Sequence, residues 1–315
     1  MTTHSKKFRF QLAIRLGALL FLVCAHSFAQ DSLKPATPFT LEHLKGYSQT
    51  YVYSPGQESR AKNIAEFMEQ AGTYFQKEIY FTPKVILYIL APQHWKGIAA
   101  PALQDTYGFP HNIDMQRLAI AAEDNPFWQS FLSPLNQLPP PLAAQINIAY
   151  GTADGSHSMM PFFDLLALHE MGHSYHTQAG LKMHRHWMGE LFVNIMLHTY
   201  IAENQPELLP ALETFPNMVV GAGSAEYQFT SLEDFERLYT TLGMGPKNYG
   251  WYQSKLHSAA KDIYNAGGKE VLKKLWIALK QHQEDMTDEA FATMLHSDVH
   301  PEVAAVYFNW NKTAE

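Results

Sequence analysis

The feature that most constrains this chain is a pair of histidines four residues apart, His169 and His173, with Glu170 directly after the first. In an α-helix, residues i and i+4 lie on the same face, so a helix here brings both imidazoles to one metal ion. Glu170 is turned by about 100° from His169 and can reach a water bound to that metal. Zinc lowers the pKa of bound water to about 7, and a neighbouring carboxylate can then take its proton. Gly172 costs a helix about 1 kcal/mol relative to Ala, which indicates close packing at that point.

A third ligand is expected in the next apolar stretch. Glu190 lies at the edge of an apolar stripe with helical spacing that begins at Trp187. A buried carboxylate without a partner is costly, and a zinc ion bound by His169 and His173 would satisfy it. Asn194 follows Glu190 by one helical turn and is placed to orient a ligand imidazole. The pattern therefore predicts one zinc ion held by two histidines and one glutamate.

The first 29 residues contain the only cysteine, Cys24, and no acidic residue. A mainly apolar run from Leu16 to Ala25 follows four basic residues and precedes Ser27-Phe28-Ala29; the basic residues are Lys6, Lys7, Arg9 and Arg15. This order is typical of a cleaved secretory signal peptide, and the run is too short for a stable membrane anchor. An uncleaved anchor is the alternative. A lipoprotein signal is disfavoured because bulky Val23 precedes Cys24. We expect export to the periplasm or the extracellular space.

Removal of this segment changes the chemistry available to the chain. Of the 23 basic residues 19 would remain, against 30 acidic residues, which gives a net charge of −11 and no cysteine. Disulfides, a thiol nucleophile and a cysteine-bound metal are thereby excluded. The acidic balance disfavours binding to nucleic acid. No second apolar stretch is long enough to cross a membrane.

The order of hydrophobic patterns predicts an α+β fold, with a small N-terminal α/β part containing a mixed sheet, then a mainly helical half. The predicted units are residues 1–29 (signal peptide), 30–155 (α/β part) and 156–315 (helical part with the candidate ligands). Strands are expected at 51–53, 85–90, 117–122 and 145–150, and a helix from 58 to 76. Further helices are expected near 161–178, 185–204, 206–214, 231–242, 247–266, 268–283, 287–296 and 301–309. Ser231 and Asp234 resemble a capping box.

The motifs resemble those of the gluzincin metallopeptidases, which include thermolysin-like enzymes and zinc aminopeptidases related to aminopeptidase N. Their pattern is His-Glu-x-x-His followed, one helix later, by a Glu ligand, and Trp187-x-x-Glu190-x-Phe192 is similar to the aminopeptidase version. The resemblance implies a zincin-like helical half, zinc bound by His169, His173 and Glu190, and Glu170 as general base. Asn194 stands where thermolysin-like enzymes have Asp. The metzincin pattern requires Gly at 176 and His at 179, where this chain has His and Ala.

The resemblance also implies a tyrosine that stabilises the transition state. In the aminopeptidases it opens a helix that ends in Gly about fifteen residues later, as Tyr252 and Gly267 do here. A phenol in that position can donate a hydrogen bond to the oxyanion. The family's Tyr-Glu-Lys-Gly is not reproduced, and Tyr249 or a simple packing role for Tyr252 are alternatives. Residues 122–126 only distantly resemble the aminopeptidase motif that holds the substrate amino terminus, so aminopeptidase activity is not assigned.

Three functions remain open at this point. The leading hypothesis is an exported zinc metallopeptidase that hydrolyses peptide or protein substrates with water activated by Glu170. The second keeps the site but cleaves a non-peptide amide or ester. The third is a non-catalytic binding protein that retains zinc. Four further histidines lie in the same region and are expected to line the cleft or surface rather than bind metal: His176, His184, His186 and His198. The oligomeric state is not predicted.

Overall fold

The computed structural model describes residues 40–132, 134–241 and 243–311. The predicted signal peptide, residues 1–29, lies outside this part of the chain. The described residues form a mostly helical structure with a small mixed sheet. No helix within the described ranges combines the length and apolar content that crossing a membrane requires. The coarse fold therefore agrees with the sequence-based expectation of a small sheet followed by a helical half.

The sheet forms from five short strands among the described residues. These are β1 (Glu42–His43), β2 (Thr50–Tyr53), β3 (Ile86–Leu90), β4 (His111–Asn112) and β5 (Arg117–Ala121). Their order is β1-β2-β3-β5-β4; the central three run parallel, and β1 and β4 are antiparallel edge strands. Tyr51 pairs with Leu87, and Leu87 pairs with Leu118. The strands predicted at 51–53, 85–90 and 117–122 are confirmed.

The helices follow the predicted order closely after residue 160. They are α1 (Glu58–Ile79), α2 (Pro92–Trp95), α3 (Pro126–Gln129), α4 (Pro140–Tyr150), α5 (Met160–Gln178), α6 (His186–Asn204), α7 (Leu209–Gly221), α8 (Leu232–Leu238), α9 (Gly245–Gly267), α10 (Glu270–Gln281), α11 (Asp288–Met294) and α12 (Pro301–Asn309). The helix predicted at 206–214 instead begins with a 3₁₀ turn and continues to Gly221. The Ser231 hydroxyl accepts a hydrogen bond from the Asp234 amide at 3.0 Å, which confirms the predicted cap.

The strand predicted at residues 145–150 is wrong, because this segment is the second half of helix α4. Proline is well suited to the first turn of a helix, since its missing N–H has no intrahelical partner there, and α4 begins with Pro140. The buried residues Ile146, Ala149 and Tyr150 recur at helical spacing. A short apolar run does not distinguish a buried strand from a buried helix. The prolines just upstream are what indicate a helix, because proline is frequent in the first turn of helices.

Helix α6 lies at the centre of the helical half, against α5 and α9. Every residue from Trp187 to Ile201 is buried, so this helix is enclosed by protein on all sides. Gly172 permits the close approach of α5, because a Cβ at that position would lie 2.8 Å from Val193 Cγ1. The close packing expected from a glycine inside a helix is confirmed.

A bidentate ion pair connects α5 to the sheet side of the molecule. Arg60 of α1 donates to both carboxylate oxygens of Asp164, at 2.6 and 2.5 Å, and to the Ala121 carbonyl at 3.2 Å. Paired fork geometry adds orientation as well as energy to such a contact. One arginine thereby joins α1, the end of β5 and the first turns of α5.

The contact at Gly172 predicts opposite effects for two Gly→Ala changes. Gly172→Ala should lower the free energy of unfolding by about 1–3 kcal/mol, because the added methyl collides with Val193. Gly250→Ala in α9 is the matched control, since nothing lies within 4 Å of its Cβ position. It should raise the free energy of unfolding by about 0.5–1 kcal/mol. Urea denaturation of the metal-free protein measures both, and equal effects would contradict the proposed close approach.

Candidate metal site

Three potential metal ligands converge where α5 meets α6. His169 and His173 lie on α5 and Glu190 lies on α6. Glu190 Oε2 is 3.2 Å from His169 Nε2 and 3.6 Å from His173 Nε2. One ligand atom from each residue lies within 4.8 Å of the others, and among the described residues this is the one group of that kind. The His-His-Glu group predicted from spacing is therefore assembled in the structure and can hold a metal ion.

Hydrogen bonds from α6 and α9 determine which nitrogen of His169 is free. Gln253 donates through Nε2 to Glu190 Oε2 at 2.8 Å and to the Tyr249 hydroxyl at 2.7 Å. Its Oε1 accepts from Asn194 Nδ2 at 3.5 Å, which leaves Asn194 Oδ1 facing His169 Nδ1 at 2.8 Å. An amide oxygen only accepts, so His169 carries a hydrogen on Nδ1 and turns Nε2 toward Glu190. Asn194 occupies the orienting position expected from the sequence.

This arrangement fits a bound cation. When His169 is neutral, its Nε2 lone pair faces a carboxylate oxygen, and two acceptors do not hydrogen-bond to each other. Glu190 is 1% exposed and His169 is 5% exposed, so water cannot screen the two groups freely. A cation between the two atoms, either a proton on Nε2 or a metal ion bound to both residues, removes this repulsion. Two imidazoles and one carboxylate are also a known set of ligands for a catalytic zinc site that keeps one position open.

The charges within the group favour an ionised Glu190. Burial by itself raises the pKa of the Glu190 carboxyl, but His173 and His169 hold that pKa well below its usual range. Burial lowers the pKa of His173, and the adjacent carboxylate more than offsets this, so that the pKa of His173 is raised. The carboxylate and the two rings therefore behave as one electrostatic unit.

Two tyrosine hydroxyls lie near the second oxygen of Glu190, one at short and one at long hydrogen-bond distance. Tyr239, in the 3₁₀ turn after α8, donates to Glu190 Oε1 at 2.5 Å, and the Tyr249 hydroxyl lies 3.4 Å from the same atom. Burial and the Glu190 charge raise the pKa of both phenols, so both remain protonated donors. Tyr239 was missed from the sequence, because no spacing rule relates position 239 to position 190.

Glu170 lies beside the group and is held from the sheet. Asn112 of the edge strand β4 donates through Nδ2 to Glu170 Oε2 at 2.7 Å and to the Glu170 carbonyl at 3.0 Å. Glu170 is 9% exposed and contributes to the raised pKa of His173. It does not belong to the converging ligand atoms. This position agrees with a carboxylate that acts next to a metal ion, and Asn112 is a site residue that the sequence did not indicate.

Tyr252 is placed differently from the expectation. Its hydroxyl donates to the Ser231 carbonyl at 2.7 Å, and its ring stacks on Trp310. No side chain of the triad is its hydrogen-bond partner. Tyr249, the alternative raised from the sequence, contacts Glu190 and Gln253 instead. The contacts therefore support packing for Tyr252, and its predicted role in the reaction is not supported by them.

The four neighbouring histidines lie outside the triad. His198 is buried and pairs with Glu213 at 3.2 Å, His184 contacts the His282 carbonyl, and His186 stacks on Tyr239. His176 contacts a ligand directly, since its Nε2 lies 3.2 Å from His173 Nδ1. Burial and the neighbouring His173 lower the pKa of His176 to about 3.

Comparison with known proteins adds no family assignment. No family model, curated protein or solved structure matches this chain. The site is therefore described by its own geometry: a buried His-His-Glu group, a neighbouring glutamate, and hydrogen-bonding residues from α6, the turn after α8, α9 and the sheet.

Removal of the carboxylate ligand should weaken metal binding. Glu190→Ala is expected to weaken Zn²⁺ binding by more than about 100-fold, beyond the loss typical of a supporting residue, because one of three ligands disappears. Competition with a chromophoric chelator measures the affinity, and elemental analysis of the dialysed protein measures the content.

Glu213→Gln is the matched control for that change. Glu213 is a partly buried glutamate that contacts a histidine outside the triad, His198. The Glu213→Gln change should leave the Zn²⁺ affinity unchanged. Equal zinc content in Glu190→Ala and the unaltered protein would place the third ligand elsewhere.

Proposed function

We propose that this protein is a zinc-dependent metallopeptidase of gluzincin type, with a zincin-like helical half, that hydrolyses peptide bonds. The observation that carries the proposal is the convergence of His169, His173 and Glu190 with Glu170 held beside them by Asn112. A metal site that served only structure would have no use for a carboxylate aimed next to it. The sequence motifs that resemble gluzincins add the same assignment independently of the contacts.

The metal would be held by the two imidazoles and the Glu190 carboxylate. Zn²⁺ held there would lower the pKa of a bound water to about 7 and would supply a positive charge that polarises a carbonyl group. Glu170 takes a proton from the attacking water and later gives it to the leaving nitrogen. Asn112 keeps the Glu170 carboxylate in place for both transfers, since one of its amide hydrogens is bonded to Oε2.

Among the tyrosines, Tyr249 is best placed to stabilise the developing oxyanion. The hydroxyl hydrogen of Tyr239 is used by Glu190, and that of Tyr252 is used by Ser231. The Tyr249 oxygen accepts from Gln253 at 2.7 Å, while its contact with Glu190 is long at 3.4 Å. Its hydrogen is therefore the most available of the three for a substrate oxygen.

The edge strand favours an extended peptide as substrate. β4 pairs with β5 on one side only, and its residue Asn112 contacts Glu170. An extended chain that adds to a sheet edge gains main-chain hydrogen bonds irrespective of its side chains. A peptide added to β4 would pass beside Glu170. We infer peptide or protein substrates rather than small amides or esters, which gain little from a strand edge.

We also propose that the protein is exported, because its N-terminal segment has the order of a cleaved signal peptide. Without Cys24, the mature chain offers the metal only imidazole and carboxylate ligands of high affinity. Among the residues that the structure describes, the His-His-Glu group is the one set of such ligands whose atoms converge on a common point.

Glu170→Gln should reduce peptide hydrolysis by about 100-fold or more while Zn²⁺ remains bound, because the amide cannot accept the proton. A diverse peptide library, incubated with the protein and analysed by mass spectrometry with and without a zinc chelator, measures turnover. Glu213→Gln is again the control and should cleave normally.

Three other results of this experiment would contradict the proposal. Undiminished turnover by Glu170→Gln would contradict the proposed role of Glu170 as general base. Intact peptides together with chelator-sensitive cleavage of ester or amide probes would indicate the non-peptide hydrolase. Tightly bound zinc with no turnover of any probe would indicate the binding protein.

A further inference from the structure

We propose that His176 is a positioning residue for the metal site, which accepts a hydrogen bond from His173 Nδ1 and so presents His173 Nε2 to the metal. The inference rests on the metal site of the proposed function, and not on the reaction that the site performs. No sequence motif pointed to it: His176 was expected to line the cleft or the surface.

The contact is built into helix α5. His176 follows His173 by three residues, and side chains with this spacing are neighbours on a helix surface. His173 Nδ1 and His176 Nε2 are 3.2 Å apart, and the two rings meet edge to face with centroids 5.4 Å apart. Both rings can therefore share one hydrogen along the line between these nitrogens.

The His176 ring is itself held from two sides. The Phe192 ring of α6 contacts it edge to face, with centroids 6.0 Å apart. The Thr177 hydroxyl lies 3.4 Å from His176 Nδ1. With its hydrogen on Nδ1 toward Thr177, neutral His176 has its Nε2 lone pair free to accept.

The direction of this hydrogen bond decides whether His173 can bind a metal. With the hydrogen on His173 Nδ1, the lone pair on Nε2 faces Glu190 Oε2 and is available as a ligand. With the reverse direction, a hydrogen on His173 Nε2 occupies the ligand position. A partner that accepts at Nδ1 therefore favours the metal-binding tautomer of His173, as Asn194 does for His169.

The two histidine ligands are thus supported by different groups. An amide oxygen holds His169, and an imidazole nitrogen holds His173. Loss of such supporting partners typically costs 10–100-fold in metal affinity, so about that loss is expected when His176 cannot accept.

The test compares Zn²⁺ affinity in two variants of His176, measured by chelator competition on the whole protein without substrate. His176→Phe keeps a ring against Phe192 but has no acceptor, and should weaken Zn²⁺ binding about 10–100-fold. His176→Gln places an amide oxygen about as far along the side chain as Nε2 of histidine. It should therefore recover most of the affinity lost in His176→Phe. His296→Phe, which removes an exposed histidine, should leave the affinity unchanged.

If His176 only stabilised the fold, both variants would lower the melting temperature of the metal-free protein, and His176→Phe and His176→Gln would bind Zn²⁺ with the same affinity. Nitrogen-15 NMR of the unaltered zinc-loaded protein supplies a second measurement, which should show the His173 hydrogen on Nδ1. Equal affinity in His176→Phe and the unaltered protein, no recovery in His176→Gln, or Nδ1-bound metal at His173 would overturn the proposal.

The outcomes also separate this inference from the proposed function. Zn²⁺ binding without peptide cleavage overturns the peptidase assignment and leaves the His176 result standing. A protein that binds no Zn²⁺ overturns both.

Discussion

The buried carboxylate of Glu190 is the constraint on which the rest of the site depends. A charge with 1% exposure is tolerated only when its oxygens are compensated, and here Oε1 receives Tyr239 while Oε2 receives Gln253 and faces two imidazoles. These partners come from the turn after α8, from α9 and from α5, so three segments must pack on α6 at once. That requirement explains why α6 is buried along nearly its whole length.

The start of α6 shows how the same packing is secured. Arg185 precedes this helix and makes no side-chain cap, so the first amides need another acceptor. Glu236 of α8 accepts from the amides of His186 and Trp187 at 3.0 and 2.9 Å. This contact ties α8 to α6 three residues before Tyr239. The residue that caps α6 therefore also helps to place the hydroxyl that donates to Glu190.

The sequence predicted the parts of the site that depend on spacing within one helix. The i, i+4 histidines, Glu190 in an apolar helix and Asn194 one turn later all follow from local periodicity. Asn112, Tyr239 and Gln253 meet the site through tertiary contacts, which no local pattern encodes. Tyr252 was favoured over Tyr249 by its distance from Gly267, whereas the contacts place the Tyr249 hydroxyl beside Glu190 and the Tyr252 hydroxyl on the Ser231 carbonyl. Spacing along one helix does not encode which of two neighbouring side chains meets a residue of another helix. The second half of α4 was predicted to be a strand for a related reason: a six-residue apolar run is too short to show whether its hydrophobic period is that of a helix or of a strand.

The two halves of the molecule contribute different things to this site. The candidate ligands and the residues that hold them all lie after residue 160, whereas the residue that holds Glu170 is Asn112, on the edge of the sheet. Arg60 joins α1, β5 and α5, so the sheet edge is fixed relative to the helix that carries Glu170. Metal affinity should therefore be a property of the helical half, while the position of the proposed general base, Glu170, depends on its contact with the sheet. Under the proposed mechanism, a change confined to β4 would impair proton transfer by Glu170 and leave metal binding by His169, His173 and Glu190 intact.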